Sequence, residues 1–361
     1  MRRVDVDWTR GVAVLLMIEA HTVDAWTRAA DRPTAAFRDA TILGGFAAPL
    51  FLWIAGVAAV LSAVRRVERG ASRREAAEAI GRRGLEIFLL AFLFRLQAFL
   101  ISPGSHPVTL FRVDILNVMG PSIAAVGALW GLCRGVRART ALFAAVTAAI
   151  AMATPIVRAA AAVDLLPTWL QWYLRPAADH TTFTLLPWAG FVFAGAACGV
   201  VLAAPSPVRL LARHETKPRA AAAIGLAGAL LVVLGFWLAS RPSIYHTASF
   251  WTSSPTWFAV RTGIVMMAFA AGGAAAPVRE RRAPDWLERL GRGSLFIYWI
   301  HVELVYGYAT WSIHGRLPLW GTAIAYVAFC VLMFGVLVLR DRLTAGWHAR
   351  RIDTRPRAAT A

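Results

Sequence analysis

The sequence predicts an all-α protein whose helices cross a membrane, and two observations support that fold class. The chain of 361 residues is 58% hydrophobic and only 16% charged, which leaves too little polar surface for a soluble protein of this length. Several apolar runs are about 20 residues long, which is enough to cross a bilayer as a helix. Helices are expected because a lipid-exposed backbone must satisfy its own hydrogen bonds.

The individual spans follow from the apolar runs in order. Windows of apolar residues predict about ten spans, at 9–28, 42–64, 84–102, 113–133, 140–158, 183–203, 219–239, 258–276, 294–313 and 318–340. An even number of spans places both chain ends on the same side of the membrane. No internal repeat and no break in composition divides them, so we predict a single membrane domain over residues 1–349. A basic tail, 350–361, is predicted to be disordered.

The positive charge is concentrated in alternate loops. The formal net charge is +18, and the arginines cluster near 65–83, 134–139, 209–219, 279–292 and 340–351. Loops rich in arginine face the cytoplasm, so both termini are predicted to be cytoplasmic. Because the cations form no single face, the pattern argues against a nucleic-acid partner. The composition, rich in alanine and arginine, is typical of a bacterial inner membrane.

Several classes of function lack their sequence signals. The chain has no phosphate-binding Walker loop, no dinucleotide glycine fingerprint and no His-Glu-x-x-His. Its cysteines, Cys133, Cys198 and Cys330, lie in or beside apolar runs and have neither disulfide nor metal spacing. We therefore expect no metal site and no ATP-driven transport. The sequence carries no signal for an oligomeric state.

A polar stripe in the first span is the main candidate site. Arg10 and His21 are eleven residues apart, close to three helical turns, which puts them on one face about 16 Å apart. Asp24 lies one turn beyond His21 on that face. One interpretation is a general base, His21, that Asp24 orients. The other is structural: acids and arginine at the helix ends, with His21 and Asp24 as an ion pair near the outer boundary.

Three further candidates lie in later segments. Arg82 and Arg83, before the third span, are either a phosphate clamp or cytoplasmic anchors. Arg112 and Asp114, at the outer entry to the fourth span, are either a rim salt bridge or the lining of a polar cavity. His301, about half a span deep, is either a structural hydrogen-bonding residue or a second catalytic or proton-relay histidine.

The ordered set of these segments resembles the transmembrane acyltransferase superfamily. Arg3–Ile18 and Ala48–Gly56 are similar to the first two helices of bacterial proteins related to heparan-α-glucosaminide N-acetyltransferase. Further landmarks follow in the expected order, at 82–85, 112–116, 186–188 and 294–301. Each segment is unspecific alone, whereas their order is fairly specific.

The spacing of Arg10 and His21 is also similar to the first-helix motif of the acyltransferase-3 family. That resemblance implies a catalytic His21, with Arg10, Arg82 and Arg83 handling the donor. There is one departure: in the heparan enzyme an Asn stands in the place of His21 and the catalytic His follows later, before the second helix. No His lies between Thr22 and His106 here. Either His21 carries out the chemistry or this chain has lost it.

The resemblance implies a membrane-embedded acyltransferase. It would move an acyl group, in the first instance acetyl, from cytoplasmic acetyl-CoA to an extracytoplasmic glycan or lipid-linked acceptor, with membrane lipids around it. The alternative function is a transporter or flippase for a glycan or lipid-linked precursor. Paired broken helices in two halves would favour it, and the sequence does not show them. A non-catalytic assembly partner is a third possibility.

Overall fold

A computed structural model describes residues 4–101, 106–178, 180–204, 216–274 and 285–353, and these residues confirm the predicted all-α class. Within those ranges there is no strand, only two isolated bridges, Thr27 with Leu317 and Val113 with Thr181. The helices are α1 (Val4–Trp26), α2 (Ala35–Gly44), α3 (Ala47–Glu68), α4 (Arg73–Ile101), α5 (Ile115–Leu132), α6 (Val136–Ala159), α7 (Thr168–Leu174), α8 (Leu185–Ala203), α9 (Thr216–Ala239), α10 (Pro255–Ala274), α11 (Asp285–Arg292), α12 (Ser294–Tyr306) and α13 (Leu319–Asp353).

Seven helical segments in the described part of the chain are long and apolar enough to cross a membrane. They are Ala35–Glu68, Arg73–Ile101, Ile115–Leu132, Val136–Ala159, Leu185–Ala203, Arg219–Ala239 and Leu319–Ala345. The other three predicted spans fall on α1, which carries several charges, on α10, and on α12, which has 13 residues. The count of about ten spans and the cytoplasmic termini therefore remain predictions.

Parts of the predicted basic loops and tail lie outside the described residues. These parts are 205–215, which includes Arg209 and Arg213, 275–284, which includes Arg279, Arg281 and Arg282, and 354–361. Helix α13 continues to Asp353, past residue 349, where the predicted domain ends. The division into a domain 1–349 and a tail 350–361 stays a prediction.

By its contacts the described chain forms two compact units. The first unit contains Met1–Thr9 and Gly45–Ala283, and its helices cross at glycines. A Cβ on Gly56 would lie 1.9 Å from the carbonyl oxygen of Val192, and one on Gly195 would lie 1.9 Å from that of Trp53. Helices α3 and α8 are therefore in backbone contact, which is how small residues let helices pack inside a bilayer. Glycine pairs also join α4 to α5 and α9 to α10: Gly84 with Gly120, and Gly228 with Gly263.

The second unit contains Arg10–Gly44 and Pro284–Ala361. A Cβ on Gly11 would lie 2.1 Å from the carbonyl oxygen of Leu287 in α11. Further along α1, Trp26 Nε1 donates to the carbonyl oxygen of Val305 in α12, at 3.3 Å. The contacts advance in the same direction along both segments, so α1 runs parallel to α11 and α12. This register brings the middle of α12 against the second half of α1.

Candidate functional site

Two histidines meet where α1 packs on α12 in the second unit. His21 Nδ1 lies 2.8 Å from His301 Nε2, and the two ring centroids are 5.0 Å apart at an interplanar angle of 38°. His301 is 0% exposed, whereas His21 is only partly buried. Of the two rings, His21 is therefore the one that a reactant can touch.

The buried member of the pair is fixed by its own helix. His301 Nδ1 lies 2.9 Å from the carbonyl oxygen of Ile297, one turn earlier in α12. Ile297 is itself 1% exposed. The ring of His301 is thus held between a backbone carbonyl on one edge and His21 on the other.

A tyrosine that the sequence analysis did not single out lies beside the reachable histidine. The ring of Tyr306 packs edge-on against His21, with centroids 5.7 Å apart. Its hydroxyl donates to Asp24 Oδ2 at 2.8 Å. Asp24, which one interpretation of the sequence has orienting His21, is connected to that ring through Tyr306. The sequence did contain an indication of Tyr306, because it is a polar side chain at the end of the apolar run that contains His301.

Arg10 belongs to the same unit as the histidine pair. It is partly buried on α1, about 16 Å below His21 along the helix axis. The residue after it, Gly11, is in backbone contact with α11. The N-terminal half of α1 is therefore held against α11 next to Arg10.

Arg82 and Arg83 lie on an exposed face of α4, in the first unit. Arg83 Nη1 is paired with Glu86 Oε2 at 2.9 Å, with 53% of the arginine side chain exposed. The exposed leucines Leu85 and Leu89 lie on the side of the helix that carries Arg82, at the spacing of a lipid-facing stripe. Their exposure is compatible both with anchoring at a membrane surface and with binding a phosphate from the aqueous side.

Asp114 is part of a buried polar cluster at the start of α5. It forms an ion pair with Arg95 of α4, and the two side chains are 11% and 13% exposed. Asp114 Oδ1 also accepts from the backbone N–H of Ile115 at 2.9 Å, and Asn117 Oδ1 accepts from the N–H of Asp114 at 3.0 Å. Together these bonds cap α5.

Arg112 does not form the rim salt bridge that the sequence allowed. The ion pair of Asp114 is with Arg95, and the described residues contain no ion pair of Arg112. Arg112 ends the short 3₁₀ turn Pro107–Phe111 and is partly buried. Arg95 was not among the residues predicted to form the site, although an arginine inside the apolar run 84–102 is itself a signal.

Among the described residues, no group of three or more His, Cys, Asp or Glu side chains is arranged to hold a metal ion. The histidine pair is hydrogen-bonded ring to ring. Its geometry supports proton transfer or attack by an imidazole nitrogen.

Comparison with known proteins confirms the resemblance. The family model described as heparan-alpha-glucosaminide N-acetyltransferase, catalytic, matches residues 2–242, which are 241 of the 361 residues. The match covers α1 to α9 and includes His21; His301 lies beyond it. The curated proteins contain no match to this chain.

Proposed function

The chain belongs to the family of heparan-alpha-glucosaminide N-acetyltransferase catalytic domains, and from that premise we propose that it is an acyltransferase embedded in a bacterial inner membrane. In this proposal, it moves an acetyl group from cytoplasmic acetyl-CoA to an extracytoplasmic glycan or lipid-linked acceptor. The several long apolar helices make it an integral membrane protein. The donor, the acceptor and the direction of transfer are the proposed part.

The observation that supports this proposal most is the half-buried His21 resting on the fully buried His301. An intramembrane histidine is costly unless it has a task or a partner. As a base, His21 would take the proton of an acceptor hydroxyl or amine while the acceptor attacks the thioester carbonyl. The carbon–sulfur bond then breaks, and the proton passes to the departing thiolate of CoA.

A second route uses the same residue as an acyl carrier. His21 would attack the thioester carbonyl, and the carbon–sulfur bond would break to release the CoA thiolate. The acceptor would then attack the acyl-imidazole and take the acyl group, while its proton passes through the freed imidazole to the thiolate. Both routes end in the same products. They differ in whether a covalent intermediate accumulates when the acceptor is withheld.

Arginines are the proposed donor-binding residues. A guanidinium offers a planar fork of N–H donors that suits phosphate oxygens. Arg10 lies on the cytoplasmic side of His21 on the same helix, about 16 Å from it. The pantetheine arm of CoA has a length of this order. Arg82 and Arg83 are proposed for the same task from the resemblance, and their exposure on α4 leaves them accessible to a nucleotide in water.

Substitution of His21 tests the function. His21→Ala should lower acyl transfer by about 10²–10⁴-fold, the usual contribution of a positioned base. Acetyl-CoA binding should persist, because the phosphates are proposed to bind far from this ring. Both quantities should be measured on the same purified, full-length protein. His246→Ala, at an exposed loop histidine, is the matched control.

Full transfer activity in His21→Ala would contradict this mechanism. Movement of a labelled lipid-linked precursor across vesicles by the unaltered protein, with no transfer of label from acetyl-CoA, would instead favour the transporter.

A further inference from the structure

We infer that His301 is a positioning residue that holds His21 in the tautomer with its hydrogen on Nδ1, so that Nε2 of His21 is the nitrogen that reacts. The assignment of the tautomer follows from the contacts of the two rings. What Nε2 then does rests on the proposed function.

The first step concerns His301 itself. A backbone carbonyl can only accept a hydrogen bond, and His301 Nδ1 lies 2.9 Å from the carbonyl oxygen of Ile297. Nδ1 of His301 must therefore carry a hydrogen. A charged imidazolium is costly at a position that is 0% exposed, and a neutral imidazole has a single N–H. Nε2 of His301 then carries a lone pair and can only accept a hydrogen bond.

The tautomer of His301 fixes the tautomer of His21. The two rings are joined from His21 Nδ1 to His301 Nε2 at 2.8 Å. Because His301 Nε2 accepts, His21 Nδ1 must donate, and its hydrogen is fixed there. The lone pair of a neutral His21 is then on Nε2, at the opposite edge of the ring from His301. A backbone carbonyl in α12 thus decides which nitrogen of a side chain in α1 is basic.

The third step excludes direct chemistry by His301. One edge of its ring bonds Ile297, the other bonds His21, and its exposed fraction is 0%. It can act on a reactant only through His21. Both proposed routes, proton abstraction and acyl transfer through the ring, need the same Nε2 lone pair. In the other tautomer that nitrogen carries a hydrogen and neither route can begin.

Two amide substitutions at His301 separate positioning from packing. The carbonyl oxygen of glutamine can reach the place of Nε2, where it accepts from His21. The shorter asparagine reaches only the place of Nδ1, near Ile297. His301→Gln should keep most of the unaltered kcat. His301→Asn and His301→Leu should each lower kcat by roughly 10²-fold, the lower end of what a positioned base contributes. The KM for acetyl-CoA should change little in all three.

Nitrogen-15 NMR of histidine-labelled, full-length protein in lipid gives a readout independent of activity. The signals of His21 are those lost in His21→Gln. We expect a protonated Nδ1 and an unprotonated Nε2 in the unaltered protein and in His301→Gln, and a mixture of tautomers in His301→Asn. A hydrogen on Nε2 of His21 in the unaltered protein would overturn the inference.

Unaltered kcat in folded His301→Leu would also overturn it. If the unaltered protein transfers no acyl group, the proposed function fails. In that case the NMR measurement still decides the tautomer of His21, because it does not depend on activity.

Discussion

Two buried polar pairs of this protein look alike in sequence and differ in structure. Arg95 and Asp114 in the first unit, and His21 and His301 in the second, are ionisable residues in or beside apolar runs. Both side chains of the first pair are at most 13% exposed, and Asp114 also caps a helix. In the second pair one ring is completely buried and the other is only partly buried.

The difference separates a structural pair from a candidate reacting pair. The carboxylate oxygens of Asp114 bind Arg95 and the N–H of Ile115, so the acid caps α5 and ties it to α4. Both ring nitrogens of His301 are hydrogen-bonded within the protein, one to Ile297 and the other to His21, and His21 is the partly exposed member of the pair. Burial of an ionisable residue inside a membrane therefore does not by itself indicate chemistry. An accessible residue that is hydrogen-bonded to a fully buried one, as His21 is to His301, is the stronger candidate.

The largest effect expected from this comparison is on stability. Asp114→Asn should lower the free energy of unfolding by about 3 kcal/mol, because it leaves the buried guanidinium of Arg95 without its counter-charge. The kcat of the protein that stays folded should be unchanged. Thermal unfolding in detergent, with activity measured on the same sample, checks both.

Asp164→Asn is the control for this substitution, since Asp164 is 63% exposed in its ion pair with Arg175. Its loss should cost less than about 1 kcal/mol. If Asp114→Asn left the protein stable but abolished acyl transfer, the Arg95–Asp114 pair would be functional. The two pairs would then not differ in the way proposed.

A second test asks whether the first unit takes part in donor binding. Reversing both charges, Arg82→Glu with Arg83→Glu, should weaken CoA binding by about tenfold, the equivalent of about 1.4 kcal/mol, if these residues hold donor phosphates. Isothermal titration calorimetry on the full-length protein measures the affinity for CoA. Because both side chains are exposed, the fold should survive.

Arg66→Glu with Arg69→Glu makes the same change of charge at another exposed pair of the first unit. An equal loss of affinity in both double variants would mean a general charge effect. Unchanged affinity in the Arg82 and Arg83 variant would leave them as membrane anchors.

The smallest expected effect comes from the hydrogen bond between Tyr306 and Asp24, next to His21. Tyr306→Phe and Asp24→Ala remove the same hydrogen bond. Each should lower kcat by about fivefold, near 1 kcal/mol of activation free energy. The double variant should be no worse than either single one, because the two residues act through one contact. Additive losses measured by steady-state kinetics would show that Asp24 acts on His21 by another route.

The apolar runs predicted the helices best where a run is long and uncharged, as in α5 and α8. They predicted the site only in part. Periodicity places Asp24 on the face of His21, but the side chains available there depend on which helix packs against it. That helix is α12, which brings His301 and Tyr306. No pattern within a single sequence connects residues so far apart, so these two contacts required the tertiary structure.

The hydrogen bond between His21 and His301 joins positions 280 residues apart, and this has a consequence for biosynthesis. At about 5–20 residues per second, His21 waits roughly 15 to 60 s after its own synthesis before its partner leaves the ribosome. During that interval His21 lacks the hydrogen bond to His301. A nascent chain that ends before α12 cannot form the histidine pair, so the candidate site is complete only after nearly the whole chain has been made.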